Sequence, residues 1–412
     1  MSLPLSSQNV IQYLQNVGLC SSEDGILKKS ELAASSNKNL NLLVSLAGGC
    51  QFLVKQENQD NFANSCHELF KEWLFHQLLQ QFPVLANIGA IASTAIYFDQ
   101  EKSLLVRRYL SEYIDLEKFY QYHNIFPTEI ATAIGTALAG LHRATFQRRE
   151  YRDFMATAPA GQFRYHYYNP AQGISSIIPD IFGTIPTEAL KFYVLYQRAE
   201  NLESVIADLA YEWQPCCLIH NDLHLNNILV HSRWQQLDNC LVRLIDWEAC
   251  SWGEPAFDLG TLLASYLKIW LTSLVVDPTL ELAESLNLAM TPLEVLQPSI
   301  LALLRAYLHA FPMILEYQQH LIKRVVQFAG LALIHQIKDM IELHKYFDNT
   351  YLCMLEIAKN LLTMPEQAIL TIFGISESEI LQPVTKIHQL PQPATEKKLV
   401  QIFYDKTRLR GC

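Results

Sequence analysis

The stretch His220-Asn-Asp-Leu-His-Leu-Asn-Asn-Ile-Leu229 places an acid at Asp222 and an amide five residues later at Asn227. It reads as a catalytic loop. A phosphoryl-transfer centre needs a carboxylate that can accept the proton of an attacking hydroxyl, and a nearby amide oxygen that helps hold a magnesium ion. A second acid, Asp246, follows an apolar run at 228–230, a polar loop at 231–239 and another apolar run at 241–245. Two short apolar runs around a polar loop predict a β-hairpin. Antiparallel strands return the chain to its starting edge, so Asn227 and Asp246 are expected to finish as neighbours. Taken singly, Asp222, His224 and Asn227 read equally well as turn residues, because Asx side chains favour turns and caps for local reasons. Acid, amide and second acid at this spacing weigh against that reading.

Three blocks carry a resemblance: H-N-D-L-H-L-N-N-I-L at 220–229, L-I-D-W-E at 244–248 and G-E-P-A-F-D-L-G at 253–260. In this order they resemble the kinase-like small-molecule phosphotransferases, a group that includes aminoglycoside phosphotransferases, choline kinases and methylthioribose kinases. That family usually has Gly where this chain has Asn221, a departure that touches backbone shape more than chemistry. The resemblance implies a two-lobed α+β protein-kinase-like fold, with a small antiparallel-sheet lobe first and a large, mainly helical lobe after it. It also implies ATP and Mg2+ as cofactors, Asp222 as base, and Asn227 and Asp246 as metal ligands.

Composition fits a folded enzyme. The chain has 412 residues, enough for two lobes; half is hydrophobic and only 17% is charged, which argues against a disordered protein. A formal net charge of −10 argues against a nucleic-acid partner and suits a neutral or cationic substrate better. Nine cysteines form no C-x-x-C pair, so neither zinc nor a disulfide framework is expected. The first ten residues lack the features of a signal peptide, which makes a reducing cytoplasm the expected compartment. The most apolar windows, 261–276 and 299–315, carry Lys268, Arg305 and His309 and are short for a bilayer, so buried helices are expected and no membrane span.

Before the loop, Val10, Ile11, Leu14 and Val17 have helical spacing and predict a short leading helix. Strand, loop, strand, tight turn and strand follow over 27–54. The loop has no glycine-rich signature; its S-S-N-K-N-L-N-L resembles the nucleotide loop of methylthioribose kinases. By that resemblance Ser36, Asn37 and Asn39 are expected to contact the nucleotide. Lys55, at the end of the third strand, is assigned to the α- and β-phosphates, against the common alternative of a solvated strand-end lysine. A helix at about 64–79 should supply an acid that pairs with it, Glu72 by choice and Glu68 in reserve. A hairpin at 91–98 and 103–109 completes five strands. Within it Leu104–Leu110 resembles the hinge, where main-chain groups of Arg108 to Leu110 would meet adenine.

Beyond the hinge the pattern turns helical. A buried helix is expected over 129–143, with His142 as a capping or packing residue. An irregular stretch follows at 151–186, and then a helix over 188–212. After Asp246 only residues 247–257 precede Asp258, which leaves little room for an activation loop or peptide platform and favours a small acceptor. Asp258 reads as the N-cap of the next helix, and the resemblance adds a bracing role toward the catalytic loop. Glu248 and Glu254 would suit an amine-bearing acceptor by charge, or serve as caps. Almost everything from 259 to 372 reads as helix, broken near Pro278 and Pro292.

The expected organisation is a nucleotide-binding lobe at 1–110, a helical catalytic and acceptor lobe at 111–380, and a tail at 381–412. The expected activity is transfer of the γ-phosphoryl group of ATP to a hydroxyl of a small molecule, aminoglycoside-, choline- or thiosugar-like. The alternative is a kinase-like binding protein without catalysis. Degenerate proteins of that kind should lack the base, the lysine or a metal ligand, and here each is present.

Overall fold

A computed structural model describes residues 5–6, 9–21, 31–32, 39–46, 49–57, 68–92, 95–157, 169–171, 187–199, 201–237, 239–275, 279 and 282–382. Helix α1 (Val10–Asn16) buries Val10, Tyr13 and Leu14. It lies on one face of a five-stranded antiparallel sheet ordered β1-β2-β3-β5-β4. The strands are β1 (Glu31–Leu32), β2 (Asn39–Ser45), β3 (Gln51–Glu57), β4 (Ala95–Asp99) and β5 (Leu104–Arg108). Side chains alternate across a strand. Leu42, Val44, Phe52, Val54, Leu104 and Val106 therefore meet α1 in one core. Burying each large apolar side chain contributes about 2 kcal/mol. The opposite face carries Leu105, packed with Leu69 of the following helix and with Ala95.

Strand β3 runs on past Lys55, which therefore lies inside the strand and not at its end. Polar residues can extend this strand because they find partners. Gln56 Oε1 accepts from Leu5 N at 2.8 Å, and Glu57 Oε1 accepts from Leu69 N at 3.1 Å. The second bond sets a carboxylate on the first turn of α2 (Glu68–Gln81), where free amides and the helix dipole favour negative charge. Residues 64–67 of the helix expected at 64–79 lie outside the described residues. A single 3₁₀ turn at Pro83–Leu85 and helix α3 (Ala86–Gly89) precede β4. The hairpin thus begins at Ala95 and not at 91. Ile91 and Ala92 instead approach Leu244, which donates its amide to Ile91 O at 2.8 Å.

After β5 come β6 (Tyr113–Asp115), α4 (Leu116–His123), α5 (Thr128–Thr145) and α6 (Arg149–Met155). The single helix expected over 188–212 is two helices, α7 (Thr187–Arg198) and α8 (Leu202–Tyr211). Asn201, which precedes α8 as its N-cap, adopts φ 62°, a left-handed conformation that a continuous helix does not contain. Short strands β7 (Cys217–Ile219), β8 (Ile228–His231), β9 (Val242–Leu244) and β10 (Ser251–Gly253) form two small sheets, ordered β6-β8-β9 and β10-β7. Helices α9 (Pro255–Thr272), α10 (Leu282–Asn287), α11 (Leu293–Ala310), α12 (Ile314–Tyr317), α13 (Leu321–His344), α14 (Asn349–Thr363), α15 (Pro365–Phe373) and α16 (Glu377–Leu381) complete the described chain.

The helical part is packed backbone to backbone at α5 and α11. A Cβ on Gly135 would lie 2.2 Å from Leu303 O, so only glycine permits that approach. Helix α9 buries 15 of its 18 residues, as its mainly apolar sequence requires. Among the described residues no helix is long and apolar enough to cross a membrane. A small antiparallel sheet followed by a mostly helical remainder is the architecture expected from the sequence. The chain divides into two compact units, Met1–Glu377 and Ser378–Cys412. Most of the irregular stretch at 151–186, the expected break at Pro278 and the tail beyond 382 lie outside the described residues.

Candidate active site

The hairpin of β8 and β9 sets the geometry. Ile228 pairs with Leu244 and Val230 with Val242, and all four side chains are buried. The pairing continues one step outward, where Ile245 N donates to Asn227 O at 3.0 Å. Asn227 and Asp246 therefore emerge from adjacent strand ends. The carbonyl of Ile245 bonds His220 Nε2 at 2.8 Å, which ties the start of the catalytic loop to the same edge.

Within the loop, Asn227 Nδ2 donates to Asp222 O at 2.7 Å and to Asp222 Oδ2 at 3.1 Å. This orients the carboxylate and turns the Asn227 carbonyl oxygen away. His224 Nε2 lies 3.2 Å from Asp222 Oδ1. The Asp222 side chain remains 46% exposed, open to an incoming hydroxyl. Partial burial works against its charge, but the neighbouring His224 and His220 and the Asn227 amide outweigh it and hold the carboxyl below its ordinary pKa.

Asp258 is fully buried and braces the loop from beneath. Its carboxylate accepts from His220 N at 2.7 Å and Asn221 N at 2.9 Å. His142 Nε2 lies 3.1 Å from the same group, and its Nδ1 lies 3.0 Å from Tyr307 OH. Asp258 is not the N-cap of α9. Glu254 holds that position, and Asp258 lies in the first turn, pointing back into the loop. Asn221 has φ 68°. The left-handed region costs most residues about 1–2 kcal/mol and is tolerated by Gly and Asn, so this chain keeps the backbone shape with a different residue.

Lys55 reaches the site from β3. Its Nζ lies 2.5 Å from Asp246 Oδ1, 3.5 Å from Glu248 Oε2 and 3.6 Å from Glu72 Oε2. Of the two acids considered for Lys55, Glu72 is the one that meets it. A residue absent from the sequence reading, Arg107, joins the same cluster. It is buried in β5, with Nη1 2.7 Å from Glu72 Oε1 and Nη2 2.6 Å from Asp246 Oδ1. Strand period puts Arg107 on the face of Leu105, and the pairing of Leu105 with Lys55 and of Arg107 with Leu53 makes it the Lys55 face. Burial and the adjacent Arg107 disfavour charge on Lys55, yet Glu72, Asp246 and Glu248 outweigh them and raise its pKa. Burial also works against charge on Asp246, but Arg107 and Lys55 hold its carboxyl well below the usual range. Glu248 goes the other way. Burial first, then Asp246 and Glu72, push its carboxyl up to about 7 despite Lys55.

Hard oxygen donors at this edge suit a magnesium ion, which takes a few protein oxygens and completes its shell with water and phosphate. Both Asp246 hydrogen bonds fall on Oδ1, leaving Oδ2 without one among the described residues. Glu248 Oε2 is buried and, beyond its 3.5 Å ion pair with Lys55, has no hydrogen-bond partner among the described residues. Asn227 and Asp246 fit as metal ligands, with Glu248 beside them. Trp247 anchors the segment by stacking on Phe75 of α2, centroids 4.1 Å apart.

Other expected residues are placed less directly. Ser36 and Asn37 lie outside the described residues, and Asn39 is buried at the start of β2. At the expected hinge, Arg108 ends β5 and is exposed. The Tyr109 amide donates to Gln51 O at 2.8 Å, and Leu110 O accepts from Tyr113 N at 3.1 Å. Glu254 does not face an acceptor; it is fully buried and held by the Arg324 guanidinium, with Nη2 at 2.8 Å from Oε2.

No curated protein sequence matches the chain. Solved structures of similar fold include amicoumacin kinase hAmiN in complex with AMP-PNP, Ca2+ and Ami, 13% identical, with a TM-score of 0.52 over 87% of this chain and 93% of that one. Choline kinase LicA from Streptococcus pneumoniae is 15% identical, with a TM-score of 0.47 over 86% and 98%. Macrolide 2'-phosphotransferase MphH from Brachybacterium faecium is 14% identical, with a TM-score of 0.44 over 87% and 99%. At 13% identity the likeness to amicoumacin kinase hAmiN is one of fold alone. The family model described as phosphotransferase enzyme family matches residues 31–290, the sheet, the catalytic loop and Asp246 included, and the chain belongs to that family.

Proposed function

We propose that the protein transfers the γ-phosphoryl group of ATP to a hydroxyl of a small molecule, with residues 1–110 holding the nucleotide and 111–380 the acceptor. The observation that carries this reading is the half-exposed Asp222 carboxylate, oriented by Asn227 beside Asp246. In the proposed reaction the acceptor oxygen attacks the γ-phosphorus while its proton passes to Asp222, and the bond to the ADP oxygen breaks. Asn227 and Asp246 would hold magnesium, which would supply charge neutralisation at the phosphates. Lys55 orients the α- and β-phosphates, and Glu72 positions Lys55.

A small acceptor is favoured by the segment after Asp246. Its β10 strand pairs with β7, Ser251 opposite Ile219 and Gly253 opposite Cys217, so the chain there is tied down and offers no peptide platform. Charge complementarity through Glu254 is withdrawn by its pairing with Arg324, and Glu248 is turned toward Lys55. Choline-, aminoglycoside- and thiosugar-like alcohols remain the acceptor classes to test. The test is ADP release from ATP with magnesium against pooled small hydroxyl compounds. Release that depends on one pool supports the proposal and identifies the acceptor on subdivision. Nucleotide binding with no release from any pool favours a binding protein without catalysis.

A further inference from the structure

We propose that Arg107 is a positioning residue that keeps the metal-binding acid Asp246 neutralised and oriented when Lys55 leaves it for the nucleotide. The inference rests on the proposed function. In the described structure two cations share one oxygen: Lys55 Nζ and Arg107 Nη2 lie 2.5 and 2.6 Å from Asp246 Oδ1. Nucleotide phosphates would compete with Asp246 for Lys55, whose three N–H donors ride on a flexible stem. Withdrawing it would leave Asp246, Glu248 and Glu72 close together with one positive charge fewer.

Arg107 is built to remain. Its side chain is 4% exposed and comes from the central part of the sheet, paired on one side to β3 and on the other to β4. Its fork spends Nη1 on Glu72 in α2 and Nη2 on Asp246 beyond β9, so one rigid group joins the sheet, the helix and the metal loop. A counterion serving Glu72 alone would need only the first of these bonds. The second fixes Oδ1 of Asp246 and leaves Oδ2 for the metal. Lysine keeps the charge at this position but cannot bond two carboxylates in a fixed plane. Arg107→Lys therefore separates orientation from charge.

The experiment is calorimetric titration of wild type and Arg107→Lys with AMP-PNP, with and without magnesium, alongside thermal unfolding. The expected result is a magnesium-dependent gain in AMP-PNP affinity that falls about tenfold or more in Arg107→Lys, the usual cost of losing a partner that orients a ligand. Affinity without magnesium should stay near wild type, while the unfolding midpoint should fall but remain above the titration temperature. A folded Arg107→Lys with the wild-type magnesium gain overturns the assignment, as does an equal loss of affinity with and without magnesium. Should Arg107→Lys not fold, Arg107→Gln keeps a planar donor group at this position and leaves Glu72 unchanged. Loss of the magnesium gain is expected there, and its retention overturns the assignment. A wild-type protein with no magnesium-dependent AMP-PNP binding would overturn the proposed function itself, a result distinguishable from failure of Arg107 alone.

Discussion

Lys55 Nζ and Asp246 Oδ1 lie 2.5 Å apart, although one comes from the sheet and the other from the loop after the catalytic hairpin. A nucleotide with its metal would compete for both partners. Asp246→Ala should abolish the magnesium-dependent part of AMP-PNP binding. Metal-free binding should rise at the same time, because Lys55 is released toward the phosphates. Calorimetry with and without magnesium checks both directions.

Glu248 gives a pH dependence with a definite sign. Its folded pKa is pushed up to about 7, above an ordinary value of about 4.3. A carboxyl raised in this way contributes stability in full below about pH 4 and loses it as pH rises through about 7. Binding of a divalent cation beside it favours the ionised form. Magnesium-dependent AMP-PNP affinity should therefore increase between about pH 6 and 8 and release a proton on binding. Glu248→Gln should flatten that profile, as titrations in buffers of different ionisation enthalpy would report.

Asp258 holds the loop by two backbone amides and His142, those of His220 and His142 buried and that of Asn221 partly so. Removing the carboxylate leaves those donors unpaired, so Asp258→Ala should lower stability by about 3 kcal/mol or more. Urea unfolding measures the loss. Activity should fall in the folded fraction as well, because His220 and Asn221 lead directly into Asp222.

At Asn221 the left-handed backbone, φ 68°, separates shape from chemistry. Asn221→Gly should leave turnover within a few fold of wild type. Asn221→Val forces a β-branched residue into that region and should cost about 1–3 kcal/mol. Comparing unfolding midpoints and rates of the two variants checks the point.

The parts of the site that were legible in the sequence are those written in local pattern. Two apolar runs around a polar loop specify the β8–β9 hairpin, and closing it brings Asn227 beside Asp246 without further information. The spacing of Val10 and Leu14 likewise marks a helix. What escaped the sequence depends on register between distant strands. Arg107 sits in an apolar strand beside an exposed arginine, and only pairing with β3 reveals that it shares a face with Lys55. The helix break at Asn201 rests on one backbone conformation that the surrounding helical pattern does not announce. The cap reading of Asp258 fails because caps are local, whereas the bracing role that the resemblance implies is met by amides 37 and 38 residues earlier in the chain.

The central claim is that Asp222 takes the acceptor proton, and the most direct test is turnover by Asp222→Asn. The substitution keeps the size of the side chain and its bond to Asn227, and removes the base. ADP release should fall by roughly two to four decades, with AMP-PNP affinity and unfolding midpoint close to wild type. Turnover equal to wild type in that variant would contradict it.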